Sequence, residues 1–193
     1  MVGAVPAQRA DARRNRAAIL SAAWVLFEQG GETSMAAVAR RAGVGMATLY
    51  RNFPGRRELL EAVYADEVAA VCDAAREAAD GAASPGAALR AWLVRFAAFI
   101  TTKHGVSAEI LGQVDGEAFL GAGRAAILDA GRPLLADAQR AGEVRSGLSL
   151  EQVLELVLAV ASIRGPVDYV EPILQTALDG LLGPTADRPD ERR

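Results

Sequence analysis

From Thr33 to Leu60 the chain reads T-S-M-A-A-V-A-R-R-A-G-V-G-M-A-T-L-Y-R-N-F-P-G-R-R-E-L-L, an order that calls for two short helices meeting at a glycine corner. A hydroxyl at Thr33 or Ser34 can accept from an orphaned backbone N–H and so start the first helix. Val38, Ala39 and Ala42 then share one face at helical spacing. Gly43 ends that helix where a left-handed residue is needed, a conformation least costly for glycine. A second helix over Gly45 to Asn52 turns Leu49 and Phe53 inward, and Phe53-Pro54-Gly55 stops it because a residue before proline is pushed out of the helical region. Ala39, Gly43 and Leu49 supply the small residue, permissive turn and apolar anchor of a helix-turn-helix. An ordinary corner in an all-α protein satisfies the same spacing.

The residues facing away from that corner weigh on the choice. Met46, Ala47, Thr48, Tyr50, Arg51 and Asn52 point outward, flanked by Arg40, Arg41, Arg56 and Arg57. Hydroxyls and guanidinium groups suit phosphate oxygens, and short side chains at a helix start let backbone approach a groove. The run G-V-G-M-A-T-L-Y-R-N-F-P-G-R-R-E-L-L resembles the signature of TetR-type (tetracycline-repressor-like) transcriptional regulators. That signature joins a turn glycine, a small-Thr-hydrophobic-Tyr helix, a phenylalanine, and Lys/Arg-Glu opening the next helix. The likeness spans residues 12–70 and departs from the pattern in three places. Gly45 stands where a serine or threonine is common, Gly55 replaces the usual serine before Arg56, and Arg57 adds a charge before Glu58.

The resemblance implies an all-α protein with an N-terminal three-helix head over residues 12–58, its motif at about 34–53, and a helical ligand-binding and dimerisation body over 59–184. Its implied DNA contacts fall on Ser34, Arg40, Met46, Ala47, Thr48, Tyr50, Arg51 and Arg56. Thr48, Tyr50 and Arg56 would anchor phosphates with Arg40 and Arg51 in support, while Met46 and Ala47 sit where base edges are read. Two copies would bind a palindromic double-stranded operator with half-sites about 34 Å, or a multiple, apart.

Composition agrees with a helical protein. About half of the 193 residues are hydrophobic, rich in alanine and poor in aromatics. The net charge of −3 argues against a protein that coats nucleic acid by charge alone. Its distribution is uneven: residues 1–60 carry nine Arg against four acids, whereas 61–193 carry twelve Lys/Arg against twenty Asp/Glu. A basic N-terminal piece on an acidic remainder fits a DNA-binding head with a separate body. Cys72 is the only cysteine, so no internal disulfide or thiolate cluster can form. No apolar run approaches the ~20 residues of a membrane span, and the N-terminus lacks a secretory apolar core. These features predict a soluble, cytoplasmic protein without membrane association.

Taken in order, residues 1–11 read as a mobile arm containing Pro6, with Arg9 and the following Arg13, Arg14 and Arg16 near phosphates or in solvent. A helix over Ala12 to Gln29 carries Ile19, Ala22, Ala23, Leu26 and Phe27 and stops at Gly30-Gly31. A long helix over Arg56 to Ala79 carries Leu59, Leu60, Val63, Tyr64, Val68 and Val71, followed by a break to Gly86. Pro85 to Thr102 forms the next helix, Thr102-Lys103-His104-Gly105 breaks it, and a short helix over Val106 to Gln113 follows. Phe119 to Ala141 reads as helix despite Gly121, Gly123 and Gly131, each costing about 1 kcal/mol unless close packing needs it. Ser149 and Gln152 form a capping box for a helix to Arg164, and a last helix covers Val170 to Leu182 before a polar tail read as disordered.

Catalysis finds no support. The only histidine, His104, stands alone at a predicted helix end, and neither zinc-ligand spacing nor a phosphate-binding glycine loop occurs. No cofactor is expected beyond an unidentified small-molecule effector. The middle helices carry Trp92, Phe96, Phe99, Ile100, Leu111 and Phe119, with Ile127 and Leu128, which are candidate pocket lining or ordinary core. The last two helices are apolar around much of their circumference, which predicts pairing with a second copy through Leu154, Val157, Leu158, Leu174, Leu178 and Leu181, the alternative being a fully buried central helix in a monomer. The resulting expectation is a ligand-responsive repressor acting as a homodimer. An activator of the same family, or a helical small-molecule-binding dimer without DNA function, are the alternatives.

Overall fold

The computed structural model describes residues 4–28, 34–112 and 115–181. Those residues form eight α-helices and no strand: α1 (Ala4–Glu28), α2 (Met35–Ala42), α3 (Met46–Asn52), α4 (Arg56–Gly81), α5 (Pro85–Leu111), α6 (Gly116–Arg140), α7 (Leu150–Ala161) and α8 (Val167–Leu181). The chain divides into two compact units, Met1–Glu67 with Thr102–Gly121, and Val68–Thr101 with Ala122–Arg193.

In the first unit α1 packs on α2, and α2 on α3. Ile19, Ala23, Val38, Leu49, Phe53, Leu59 and Leu60 are all buried there, which closes both faces of the corner. α1 starts at Ala4 rather than near Ala12, so residues 4–11 are helix and not the expected arm. Pro6 allows this because it sits in the first turn, where its missing N–H has no partner to lose. The predicted stop at Gly30-Gly31 and the alternative cap Thr33 lie outside the described residues.

The expected break at Thr102-Lys103-His104-Gly105 is absent, and α5 runs unbroken to Leu111. Val106 and Ile110, four residues apart, are both buried in the first unit. Burying two such side chains is worth about 1.5–3 kcal/mol each, which outweighs roughly 1 kcal/mol for Gly105 inside a helix. Gln113 lies outside the described residues. Asp115 takes a left-handed φ of 63° and its carbonyl accepts from the Phe119 N–H at 3.0 Å, so α6 opens at Gly116, ahead of the expected Phe119. Tyr64 and Phe119 pack with ring centroids 5.6 Å apart.

The second unit is built around Trp92. Its indole N–H donates to the Val71 carbonyl at 3.1 Å, and its ring lies 6.2 Å from that of Phe96. Gly131 abuts the indole so closely that a methyl there would overlap the ring, which is the close packing that a mid-helix glycine needs. Gly121 faces open space instead. Glu143, in the loop after α6, accepts from the Ser84 hydroxyl at 2.6 Å and the Gly86 N–H at 2.8 Å, satisfying an orphan donor of α5.

The capping box of α7 is formed, Gln152 N–H donating to Ser149 Oγ at 3.3 Å and Ser149 N–H to Gln152 Oε1 at 2.9 Å. α7 ends at Ala161, short of Arg164, where the Ser162 hydroxyl donates to the Leu158 carbonyl at 2.7 Å. α8 begins at Val167 rather than Val170, because the Pro166 carbonyl accepts from both Tyr169 and Val170. Leu182 and the polar tail lie outside the described residues.

Candidate nucleic-acid interface

Ser34 caps α2, its hydroxyl oxygen accepting from the Ala37 N–H at 3.2 Å. Gly43 ends that helix at φ 67°, ψ 27°, and the Val44 N–H reaches back to the Ala39 carbonyl at 3.0 Å. This is the glycine-terminated geometry that turns a chain sharply. Gly45 caps α3 without a side-chain bond, its carbonyl accepting from Thr48 and Leu49. Leu49 and Phe53 anchor α3 from beneath, both essentially fully buried. With that face inward, Met46, Ala47, Tyr50 and Arg51 on the other face are exposed.

Of the set expected to face outward, Met46, Ala47, Tyr50 and Arg51 are exposed, whereas Thr48 and Asn52 are half-buried. Met46 and Tyr50 are large yet 39% and 47% exposed, and Ala47 and Arg51 are exposed beside them. Thr48 is half-buried, its Oγ1 accepting from Arg51 Nη2 at 2.9 Å while its carbonyl accepts from Asn52 Nδ2 at 2.8 Å. Arg40 and Arg41 are exposed in the last turn of α2. Ser34 is exposed as well, and its hydroxyl hydrogen stays available while the oxygen caps the helix. The surface therefore offers phenolic, hydroxyl and guanidinium donors around two short side chains, a set suited to phosphates beside base edges.

Two arginine contacts escape sequence reasoning. The Arg16 guanidinium carbon lies 4.5 Å from the centroid of Phe53, and that of Arg56 lies 5.4 Å from the centroid of Phe27. Arg16 is exposed yet its guanidinium meets an aromatic face, and Arg56 is half-buried. Contacts between residues far apart in sequence leave no local spacing to read. Arg57 pairs with Glu61 at 2.8 Å, and that hydrogen bond, then the charge of Glu61, raises its pKa. The Glu58 carboxylate comes within 2.8 Å of where a Cβ at Gly55 would stand. A glycine before Arg56 leaves room for this acid in the first turn of α4, where the helix dipole favours it.

The other candidate sets fare differently. Trp92, Phe96, Phe99 and Ile100 are buried in the core of the second unit, whereas Phe119 is half-buried and belongs to the first. The side chains of Leu111, His104 and Arg9 lie outside the described residues. A cleft of about 350 Å³ in the first unit is lined by Arg13, Arg16, Trp24, Asp66 and Glu67, among others, and by none of the pocket candidates. Of the residues expected to meet a second copy, Leu154, Val157, Leu178 and Leu181 are buried within their own chain. They pack α7 and α8 into the core, which leaves Leu158 and Leu174 half-buried. Large apolar side chains that are exposed there are Leu156, Ile163, Val167 and Tyr169. Among the described residues no group of acidic, His or Cys side chains could hold a metal, and no helix is long and apolar enough to cross a membrane.

Residues 19–63 match the family described as bacterial regulatory proteins, tetR family, and residues 84–182 match the C-terminal domain of SbtR-like transcriptional regulators. A TetR transcriptional regulator of Streptomyces coelicolor, SCO0520, is 37% identical with a TM-score of 0.75, over 89% of this chain and 99% of that one. A TetR transcription regulatory protein of Mycobacterium vanbaalenii is 34% identical with a TM-score of 0.74, over 91% and 99% of the two chains. FadR of Bacillus subtilis, solved in complex with stearoyl-CoA, shares the fold at 15% identity, with a TM-score of 0.65 over 86% and 97% of the chains. No curated protein matches the chain.

Proposed function

The chain belongs to the TetR family of bacterial regulatory proteins and is a DNA-binding transcriptional regulator, and on that premise we propose that it is a homodimeric repressor released from its operator by a small molecule. The observation that carries the reading is the exposed face of α3, where Met46, Ala47, Tyr50 and Arg51 stand clear of an anchored helix. Residues 12–58 act as the reading head and 59–184 as the body. Thr48, Tyr50 and Arg56 hold phosphates with Ser34 and Arg40, and Met46 and Ala47 meet base edges. Two heads engage half-sites about 34 Å, or a multiple, apart on a palindrome. The protein works in the cytoplasm, where its operator is.

An effector that prefers a body conformation incompatible with the operator weakens DNA binding by its difference in affinity for the two states. Helix α4 runs unbroken from Arg56 to Gly81 and is the element that carries the change. A bound acyl-CoA in a protein of the same fold supports a small-molecule effector, without naming the one used here. Exposed Leu156, Ile163, Val167 and Tyr169 on and around α7 and α8 support pairing of two copies there.

The test is a gel shift with the DNA upstream of the protein's own gene, joined to a reporter driven by that DNA. A shifted band with reporter output lowered by the protein supports repression. Output raised by the protein makes it an activator, and no band at low salt removes the operator from this region.

A further inference from the structure

We propose that Arg51 reads a guanine in the major groove and that Thr48 holds it in position to do so, an inference that rests on the DNA-binding reading above. Arg51 Nη2 donates to Thr48 Oγ1 at 2.9 Å, three residues back along α3. That bond draws the guanidinium toward the N-terminal end of the helix, the end with exposed Met46 and Ala47. It is also the end of a recognition helix that meets base edges. A guanidinium has five N–H donors, and this bond uses one. The remaining fork matches guanine O6 and N7, the commonest specific contact between a side chain and a base.

Three other arginines of the head are held differently. Arg57 is paired with Glu61, and Arg16 and Arg56 lie over phenylalanine rings. Arg51 is exposed and held by a neutral hydroxyl, so its charge is undiminished and its direction is set before DNA arrives. A planar fork that is already oriented loses less freedom on binding. Thr48 has a second part in this arrangement. Its oxygen accepts from Arg51 while its own O–H can still donate, so a phosphate held by Thr48 and a base read by Arg51 are locked to one register.

The experiment is selection of bound sequences from random duplex DNA by the full chain, comparing wild type with R51A, R51K, T48V and T48S at one salt concentration. Wild type is expected to select a half-site containing a strongly preferred guanine. R51A and R51K should each reduce the preference at that single position about tenfold or more, leaving the rest of the half-site unchanged. T48V, close in shape, should blur the same position, and T48S, which keeps the hydroxyl, should restore it. If R51A weakens binding evenly and every base preference survives, Arg51 is a phosphate contact and the inference fails. If T48V leaves the guanine preference intact, the positioning role of Thr48 fails. A wild-type protein that selects no sequence would overturn the DNA-reading premise itself, a result distinct from either.

Discussion

The Arg16 guanidinium lies over the ring of Phe53, its carbon 4.5 Å from the centroid. Phe53 is the C-cap of the recognition helix and is almost completely buried, so this contact fastens α1 to the end of α3. An arginine on the expected phosphate side of α1 thus acts first on the orientation of the helix that reads DNA.

Replacing Arg16 with alanine should therefore destabilise the first unit by about 0.5–1 kcal/mol, the range for an exposed cation–π contact. Binding to all DNA sequences should weaken with it. Arg13, exposed one turn earlier on α1, is the control, since a surface substitution away from such contacts stays within about 0.5 kcal/mol. Equal urea midpoints for R16A and R13A would show that the ring contact contributes nothing.

Gly131 and Gly121 lie on the same helix and should respond with opposite signs. A methyl at Gly131 meets the Trp92 ring, and overpacking of this kind costs about 1–3 kcal/mol. Gly121 is in the helix interior with open space at its Cβ position, so alanine should stabilise by about 0.5–1 kcal/mol. Denaturant midpoints for G131A and G121A decide this, and a shift in the same direction for both would contradict the packing account.

Cys72 tests the interior of α4. Burial, reinforced by the charge of Asp73 and opposed by Arg76, raises its pKa, so less thiolate is present at neutral pH than for a free cysteine. Only thiolate is alkylated. In the native protein the alkylation rate should climb with pH to a midpoint above the ordinary value of about 8.5, and in denaturant the midpoint should return to it. The same midpoint in both conditions would remove the burial effect.

The glycine corner was readable in the sequence because everything that makes it is local. Ser34 caps through Ala37, Gly43 through Ala39 and Arg40, and Phe53 through Leu49, each within about one turn, and so does Ser149 with Gln152. What escaped reading depends on neighbours distant in the chain. Gly105 looked like a break because Val106 and Ile110 find their burial in residues far from them in sequence. Val157 and Leu178 looked like a surface for a second copy because an apolar stripe reads alike whether its partner is the same chain or another. Trp92 could not be sorted into core or pocket until Val71 and Gly131 were seen against it. For the candidate interface, residue types and outward placement were legible, and the bond from Arg51 to Thr48 was not.

Salt dependence separates the neutral phosphate contacts from the charged ones. Each cation that neutralises a phosphate releases counterions, so log affinity falls with log salt by about 0.9 per contact. Tyr50 is exposed and offers a phenolic O–H without charge. Y50F removes a hydrogen bond to an ionised group, worth about 1.5–3 kcal/mol, so affinity should drop about tenfold or more at every sequence with the salt slope unchanged. Arg40 is exposed in the last turn of α2, and R40A should also weaken binding evenly while flattening the slope by about one. The measurement is affinity for one operator across a salt series with wild type, Y50F and R40A. An unchanged affinity in Y50F would strike Tyr50 from the contacts, and an unchanged slope in R40A would strike Arg40. A flat salt response in the wild type would leave the basic head without a phosphate backbone to hold.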